Sequence, residues 1–294
     1  VIGADVGKLA GSPIVERAIE QLLLRDATLS RAWESVREGC KINITKQVKH
    51  VMLVLGPTPQ GGRPGTGPVL MIATGNIPEA DLSDCVGKLV GKGGGSVTGR
   101  AVAGRTVYQV KDGARIMFFA FSRADTVVLG TSEPFVIEAI GANKKALDHP
   151  ELAAWLKLVD QNAPVWAVGR VDDRVRKGLV GVLPGLKAGP SAITGSIDPR
   201  NGAILELGAI MASAEDANQL ESFANTQKKL IAMASQKMAL ATIINKIGIQ
   251  GGGSIVRFRA PLDMADVNHL LSMLDGGGPP AQSSPPPTGP PPTN

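Results

Sequence analysis

The stretch VTGRAVAGRTVYQVKDGARIMFFAFSRADTVVLG, Val97–Gly130, decides the fold. It divides into four short runs rich in Val, Ile, Phe and Thr, namely Val97–Val102, Thr106–Lys111, Arg115–Ser122 and Thr126–Gly130. Runs of this length and composition, separated by turn residues, read as strands. Asp112-Gly113 is a hairpin signal, because glycine supplies the positive φ that a tight turn between twisted strands requires. Strands joined by tight turns are antiparallel, so this meander predicts an antiparallel sheet.

Upstream, a helix is expected from Pro78 to about Val90, preceded by strands Val48–Leu55 and Val69–Thr74 around the loop Gly56–Pro68. The chain opens with an apolar strand, Val1–Val6. Ser12 is the expected N-cap of a helix with Pro13 in its first turn, where a missing N–H costs nothing. Ile14, Val15, Ala18, Ile19, Leu22 and Leu23 then recur at helical spacing. A second short helix carries Leu29, Ala32, Trp33 and Val36 and ends near Gly39.

Downstream, Ser132 starts a helix through Ile140, and Asp148 with Glu151 has the spacing of a capping box for a helix to Val159. The element order then repeats. Val165–Val171 is a strand leading into a helix, Asp172–Leu183, and Ala192–Ile197 and Ala203–Ala212 form a hairpin. Ser213 and Asp216 start a long helix, strands Ile244–Gln250 and Ser254–Ala260 flank Gly251–Gly253, and Asp263–Leu274 closes as a helix. The expected fold is α+β: two tandem modules, residues 1–145 and 146–275, of mainly antiparallel sheet with helices packed on one face. Residues 276–294 contain only Gly, Pro, Ser, Thr, Ala, Gln and Asn, so they read as a disordered, partly polyproline-II tail.

These features resemble a family of uncharacterised exported proteins and lipoproteins of myxobacteria and related bacteria. The likeness lies in Ala4-Asp5-Val6 through Ser12-Pro13, in Cys40 before a strand with Cys85 in a later helix, and in Val127-Val128-Leu129-Gly130 before a helix. The family has no established activity. The resemblance implies an envelope location, periplasmic or outer-membrane associated, and an acyl anchor upstream of Val1. The start at Val1 without an initiator Met fits a removed leader or an expression product equally. No apolar run approaches the roughly 18–20 residues that span a bilayer, so no transmembrane segment is expected.

Cys40 and Cys85 are the only cysteines. In an oxidising compartment the even pair reads as a disulfide between the second and third helices, and in a reducing one as two buried thiols. Neither the cysteines nor His50, His149 and His269 have metal-ligand spacing, so no metal or cofactor is expected. Gly3–Lys8 and Gly87–Lys92 fail as phosphate loops, lacking the Gly spacing and the hydroxyl that holds Mg²⁺. Gly61–Gly67 has no dinucleotide fingerprint, and no Gly-x-Ser-x-Gly or Ser-x-x-Lys nucleophile sits at a strand-to-helix turn. Asp172-Asp173 and Glu215-Asp216 stand at helix starts, where the macrodipole accounts for them.

One candidate anion-binding patch stands out: Lys88, Lys92, Arg100, Arg105, Lys111, Arg115 and Arg123 against a single acid, Asp112. Arg257 and Arg259 alternate with apolar residues and would add charge to an outward strand face. The formal charge of +5 is mild for 294 residues, and aromatics make up only 3%, which argues against a specific nucleic-acid platform. The leading reading is a non-enzymatic binding or scaffold protein of the bacterial envelope, its partner an envelope protein or an anionic polymer. The alternative is a carrier of a hydrophobic, lipid-like ligand. A hydrolase of unfamiliar type ranks last, because no nucleophile–base pair can be named.

Overall fold

The computed structural model describes residues 1–40, 43–63, 65–141, 146–183, 185–234 and 240–274. The module boundary expected after residue 145 and the tail 276–294 fall outside them. The chain begins β1 (Ile2–Asp5), α1 (Val6–Leu9), α2 (Pro13–Arg25), α3 (Ala27–Gly39), α4 (Ile44–Gln47), β2 (Val48–Leu55) and β3 (Val69–Gly75). Next come α5 (Glu79–Lys92), the meander β4 (Ser96–Val102), β5 (Arg105–Asp112), β6 (Arg115–Arg123) and β7 (Thr126–Gly130), and α6 (Glu133–Gly141). A 3-10 turn at Ala146–Asp148 leads to α7 (Pro150–Leu156), β8 (Val165–Arg170), α8 (Asp173–Val182), β9 (Ala192–Asp198) and β10 (Ala203–Ile210). The chain continues through α9 (Ala214–Ala234), α10 (Leu240–Asn245), β11 (Gly248–Gly252), β12 (Ile255–Leu262) and α11 (Met264–Leu274).

The twelve described strands form one antiparallel sheet, ordered β11-β12-β10-β9-β8-β1-β2-β3-β7-β6-β5-β4. Its seam is β1 against β8, with Ile2 opposite Ala167 and Gly3 opposite Trp166. Outward from the seam, β1-β2-β3 on one side and β8-β9-β10 on the other follow chain order. On each side the chain then crosses helix and re-enters, so that β7 pairs with β3 and β12 pairs with β10. Pairing β1 with β8 removes two strand edges that would otherwise stand open. Gly3 makes the seam possible: a Cβ there would run into the Trp166 indole.

Side-chain alternation assigns the helices to faces. On the first face, α5 lays Leu82, Cys85, Val86 and Leu89 over Val51, Ala73, Phe119, Phe121 and Val127. On the same face α10 and α11 cover β10 and β12, with Ile243, Val267, Leu270 and Leu271 against Ala203, Leu205 and Leu262. Ala217 and Leu220 of α9 pack there on Ala209 and Val256. Helix α6 instead lies on the second face, where Val136 and Ile140 cover Leu70, Val107, Phe118, Ala120 and Val128. The cause is legible in β6: Phe118-Phe119-Ala120-Phe121 is apolar at every position, and all four are buried, so both sides of that strand need cover.

Three local expectations are corrected. Ser12 precedes α2, yet its Oγ makes no capping bond and donates to the Pro199 carbonyl at 2.9 Å. Asp148 belongs to the 3-10 turn, and α7 starts at Pro150 with His149 at its N-cap position, while Glu151 turns to Arg170. That helix ends at Leu156 rather than Val159. The strand expected from Ile244 begins only at Gly248, because residues 240–245 coil as α10 and bury Ile243. Short apolar runs do not distinguish helix from strand by pattern alone.

Other caps hold as read. Asp172 Oδ1 accepts from the Arg174 N–H at 2.8 Å, and Ser213 Oγ accepts from the Asp216 N–H at 3.1 Å. At α11, Asp263 and Asp266 cap reciprocally, each backbone N–H donating to the other's carboxylate at 2.9 Å. The Lys246 ammonium donates to both, reaching Asp263 Oδ2 at 2.8 Å. That ammonium, with the Asp266 N–H, holds the Asp263 carboxyl at about 2, below the ordinary carboxylate range. A carboxyl depressed on folding stabilises at pH above its unfolded value, and the contribution is lost as pH falls through the folded one. In urea titrations Lys246→Met should therefore be less stable than wild type at pH 7, with the gap narrowing below pH ~4 and closing near pH ~2. A gap that persists undiminished at pH ~2 refutes this linkage.

Candidate functional site

The middle of the first sheet face carries apolar side chains that remain open to solvent. In one cross-strand row stand Leu207, Gly195, Ala167, Ile2 and Leu53, contributed by β10, β9, β8, β1 and β2. The adjoining rows on that face pair Ile193 with Gly169 and Ile197 with Val165. Ile2, Leu55, Ile193, Ile197 and Leu207 are between 38% and 51% exposed, although they lie on the central strands of a twelve-stranded sheet. On the opposite face of β8, by contrast, Val168 is fully buried.

Small residues give this surface its shape. Ala167, Gly169 and Gly195 withdraw side chains between the larger aliphatics, leaving a trough along β8 and β9. A Cβ placed on Gly169 would meet open space. Glycine inside a strand weakens it, and no packed neighbour of this protein requires the missing side chain at Gly169.

Helices α2 and α3 join the two covered regions that border this trough. Helix α2 is fastened beside α11, through Ile14 in that helix's core cluster and through Arg17 Nη1 to Asn268 Oδ1 at 3.1 Å. Cys40, just past the end of α3, is disulfide-bonded to Cys85 of α5, with the Cα atoms 4.9 Å apart. Between these fastenings the apolar stripe of α2 finds little cover. No α2 residue is buried, and Ile19, Leu22 and Leu24 are exposed. On the far side, α8 reaches the β2–β3 loop through Arg174, which donates to the Gly62 carbonyl at 2.5 Å, and it exposes Val175.

The candidate cations do not share one surface. Lys88 and Lys92 ride on α5 over the first face, whereas Arg100, Arg105 and Lys111 project from the second. Arg115 and Arg123 occupy the two ends of β6. Lys88 is paired with Asp84 at 2.6 Å, Arg100 with Glu133 at 2.6 Å, and Arg105 Nη1 donates to the Phe121 carbonyl at 3.1 Å. His50 lies on β2, His149 before α7 and His269 on α11. Among the described residues no three His, Cys, Asp or Glu side chains gather as metal ligands would, and no helix is long and apolar enough to cross a membrane.

The trough was not anticipated from the sequence. Its signal was there in Gly169 and Gly195, each inside a strand, but reading it requires knowing that β8 and β9 are neighbours. No family model matches the chain, and no curated protein matches it. Among solved structures it is similar to crystal form I of TP0453, at 10% identity and a TM-score of 0.43, over 84% of this chain and 88% of that one. A likeness at this level carries no argument about function.

Proposed function

We propose that this protein is a non-enzymatic binding protein of the bacterial envelope that carries a hydrophobic, lipid-like ligand in the trough along β8 and β9. The observation that supports it is the open apolar row Leu207–Gly195–Ala167–Ile2 at the centre of the sheet. Contiguous exposed apolar surface of this kind marks a binding site. A flat protein-docking patch would present a side chain at each position, whereas withdrawal at Ala167, Gly169 and Gly195 gives a furrow suited to a chain-like apolar ligand. The Cys40–Cys85 disulfide supports an oxidising compartment.

The test is binding of N-phenyl-1-naphthylamine, an uncharged probe that fluoresces on entering apolar surroundings, and its displacement by phospholipid. Wild type should bind the probe and release it to phospholipid. Ile193→Asp with Ile197→Asp should weaken binding at least tenfold, since each aliphatic surface lost is worth on the order of 1.5 kcal/mol. Both sites are substantially exposed, so the double variant should keep its urea midpoint close to that of wild type. Probe binding that is absent in wild type, or unchanged in the variant, sinks the reading.

A further inference from the structure

The second face of the sheet holds a recess of about 360 Å³ over β9, β10, β12 and β11, bordered by Leu158–Asp160 after α7. That volume is within the range of roughly 300–1,000 Å³ typical of small-molecule sites. It is separated from the trough by the sheet itself and owes nothing to the reading given above. Its floor carries Thr194 and Ser196, which are only 5% and 7% exposed. Neither hydroxyl has a hydrogen-bond partner among the described residues. No fully enclosed side-chain nitrogen or oxygen there lacks a partner, so both hydroxyl oxygens must open into the recess.

The charged residues of the recess separate into satisfied groups and one that is not. Arg259 Nε donates to Glu206 Oε1 at 3.0 Å, and Lys246 is held by Asp263 and Asp266. Asp160 Oδ1 accepts from the Asn162 N–H at 2.9 Å. Arg257 has no hydrogen bond or ion pair from its side chain among the described residues. The register sets Arg257 beside Gln250 on the same face. Gly208 lies beside Thr194, and a Cβ there would collide with the Thr194 hydroxyl, so the floor is kept open by the absence of a side chain.

We infer that this recess binds a small organic oxyanion, carboxylate or phosphate, whose charged oxygens meet Arg257 and the Thr194 and Ser196 hydroxyls while an apolar stem lies against Leu158, Val159 and Pro261. A guanidinium without a carboxylate and two hydroxyls without acceptors call for the same thing, a group rich in acceptor oxygens. The rim supplies the contact for a short apolar stem. Nothing in the constellation supplies a nucleophile–base pair, so the inference is of binding and not of turnover.

Calorimetric titration with octyl phosphate, inorganic phosphate and uncharged octyl glucoside tests this. To exclude uptake of the octyl chain by the trough, the titrations are run both in wild type and in the Ile193→Asp/Ile197→Asp background. Octyl phosphate should still bind in the double variant, and octyl glucoside should not. Arg257→Gln should weaken octyl phosphate roughly ten- to hundredfold, as expected for loss of a hydrogen bond to a charged group, and Ser196→Ala about three- to tenfold. Arg257 is exposed and unpaired among the described residues, so its replacement should leave the urea midpoint unchanged. If inorganic phosphate binds as tightly as octyl phosphate, the ligand is a free ion and the stem is wrong. Equal affinity in Arg257→Gln, or no heat from either phosphate in the double variant, overturns the site.

Discussion

Replacing Cys40 and Cys85 together by alanine should lower the unfolding free energy by about 4 kcal/mol, the loop-closure entropy released when a loop of this size is no longer cross-linked. The two cysteines are 45 residues apart, and the loop between them contains α4, β2 and β3. Alanine is the right replacement because Cys85 is buried beside Leu82 and Val86, where a serine hydroxyl would add an unrelated desolvation cost. Urea titrations of oxidised wild type, reduced wild type and the double variant supply the measurement, with the last two expected to coincide. A loss below ~1 kcal/mol would mean that the cross-link does not constrain the unfolded chain as the model requires. The loss should also be uneven. Since the bond fastens the end of α3 to α5, hydrogen exchange in α2 and α3 should accelerate in the double variant before exchange in β6 and β7 does. Loosening those helices would also weaken naphthylamine binding, which ties the cross-link to the trough and not only to overall stability.

The meander was readable because each of its strands pairs with its neighbour in the chain, so local pattern and tertiary partner coincide. The antiparallel sheet follows from that alone. The seam was not readable, because β1 and β8 are separated by most of the first half of the molecule and neither run says which edge it will meet. For the same reason Gly3 looked like part of a failed phosphate loop, when its role is to leave room for the Trp166 indole. The hydrogen-bond partner of Ser12 was hidden likewise: capping is a local rule, while Pro199 is brought to it by the β9–β10 turn. The candidate sites divide along the same line. The cysteine pair was visible as composition, and the recess was half visible as Arg257 and Arg259 on an outward strand face. The hydroxyls of Thr194 and Ser196 acquire meaning only when β9, β10 and β12 are side by side.

Phe119→Ala should cost about 3–5 kcal/mol, the range for deleting a buried aromatic ring from a core that only partly closes over the space. Phe119 is 2% exposed and stacks on Tyr108 with ring centroids 4.5 Å apart. It lies in the cluster that α5 covers, against Ala73 and Val127, so little mobile surface is available to fill the void. Phe119→Leu, which keeps much of the volume, should cost less, on the order of 1–1.5 kcal/mol. The only tyrosine in the chain reports the site directly. Burial and the Glu79 carboxylate, which accepts from its hydroxyl at 2.9 Å, raise the Tyr108 phenol above its ordinary value. Removing the stacked ring admits water, so phenolate absorbance in Phe119→Ala should titrate at lower pH than in wild type. The same variant tests whether the twelve-stranded sheet is one cooperative unit or two joined ones. If hydrogen bonds across β1 and β8 couple the halves, the tyrosine signal and the far-UV signal will lose structure at one urea concentration, shifted together by the mutation. If the seam is weak, the tyrosine transition will move to lower urea while part of the far-UV change stays where it was, and the halves are then separate folding units that share a sheet in the native state only.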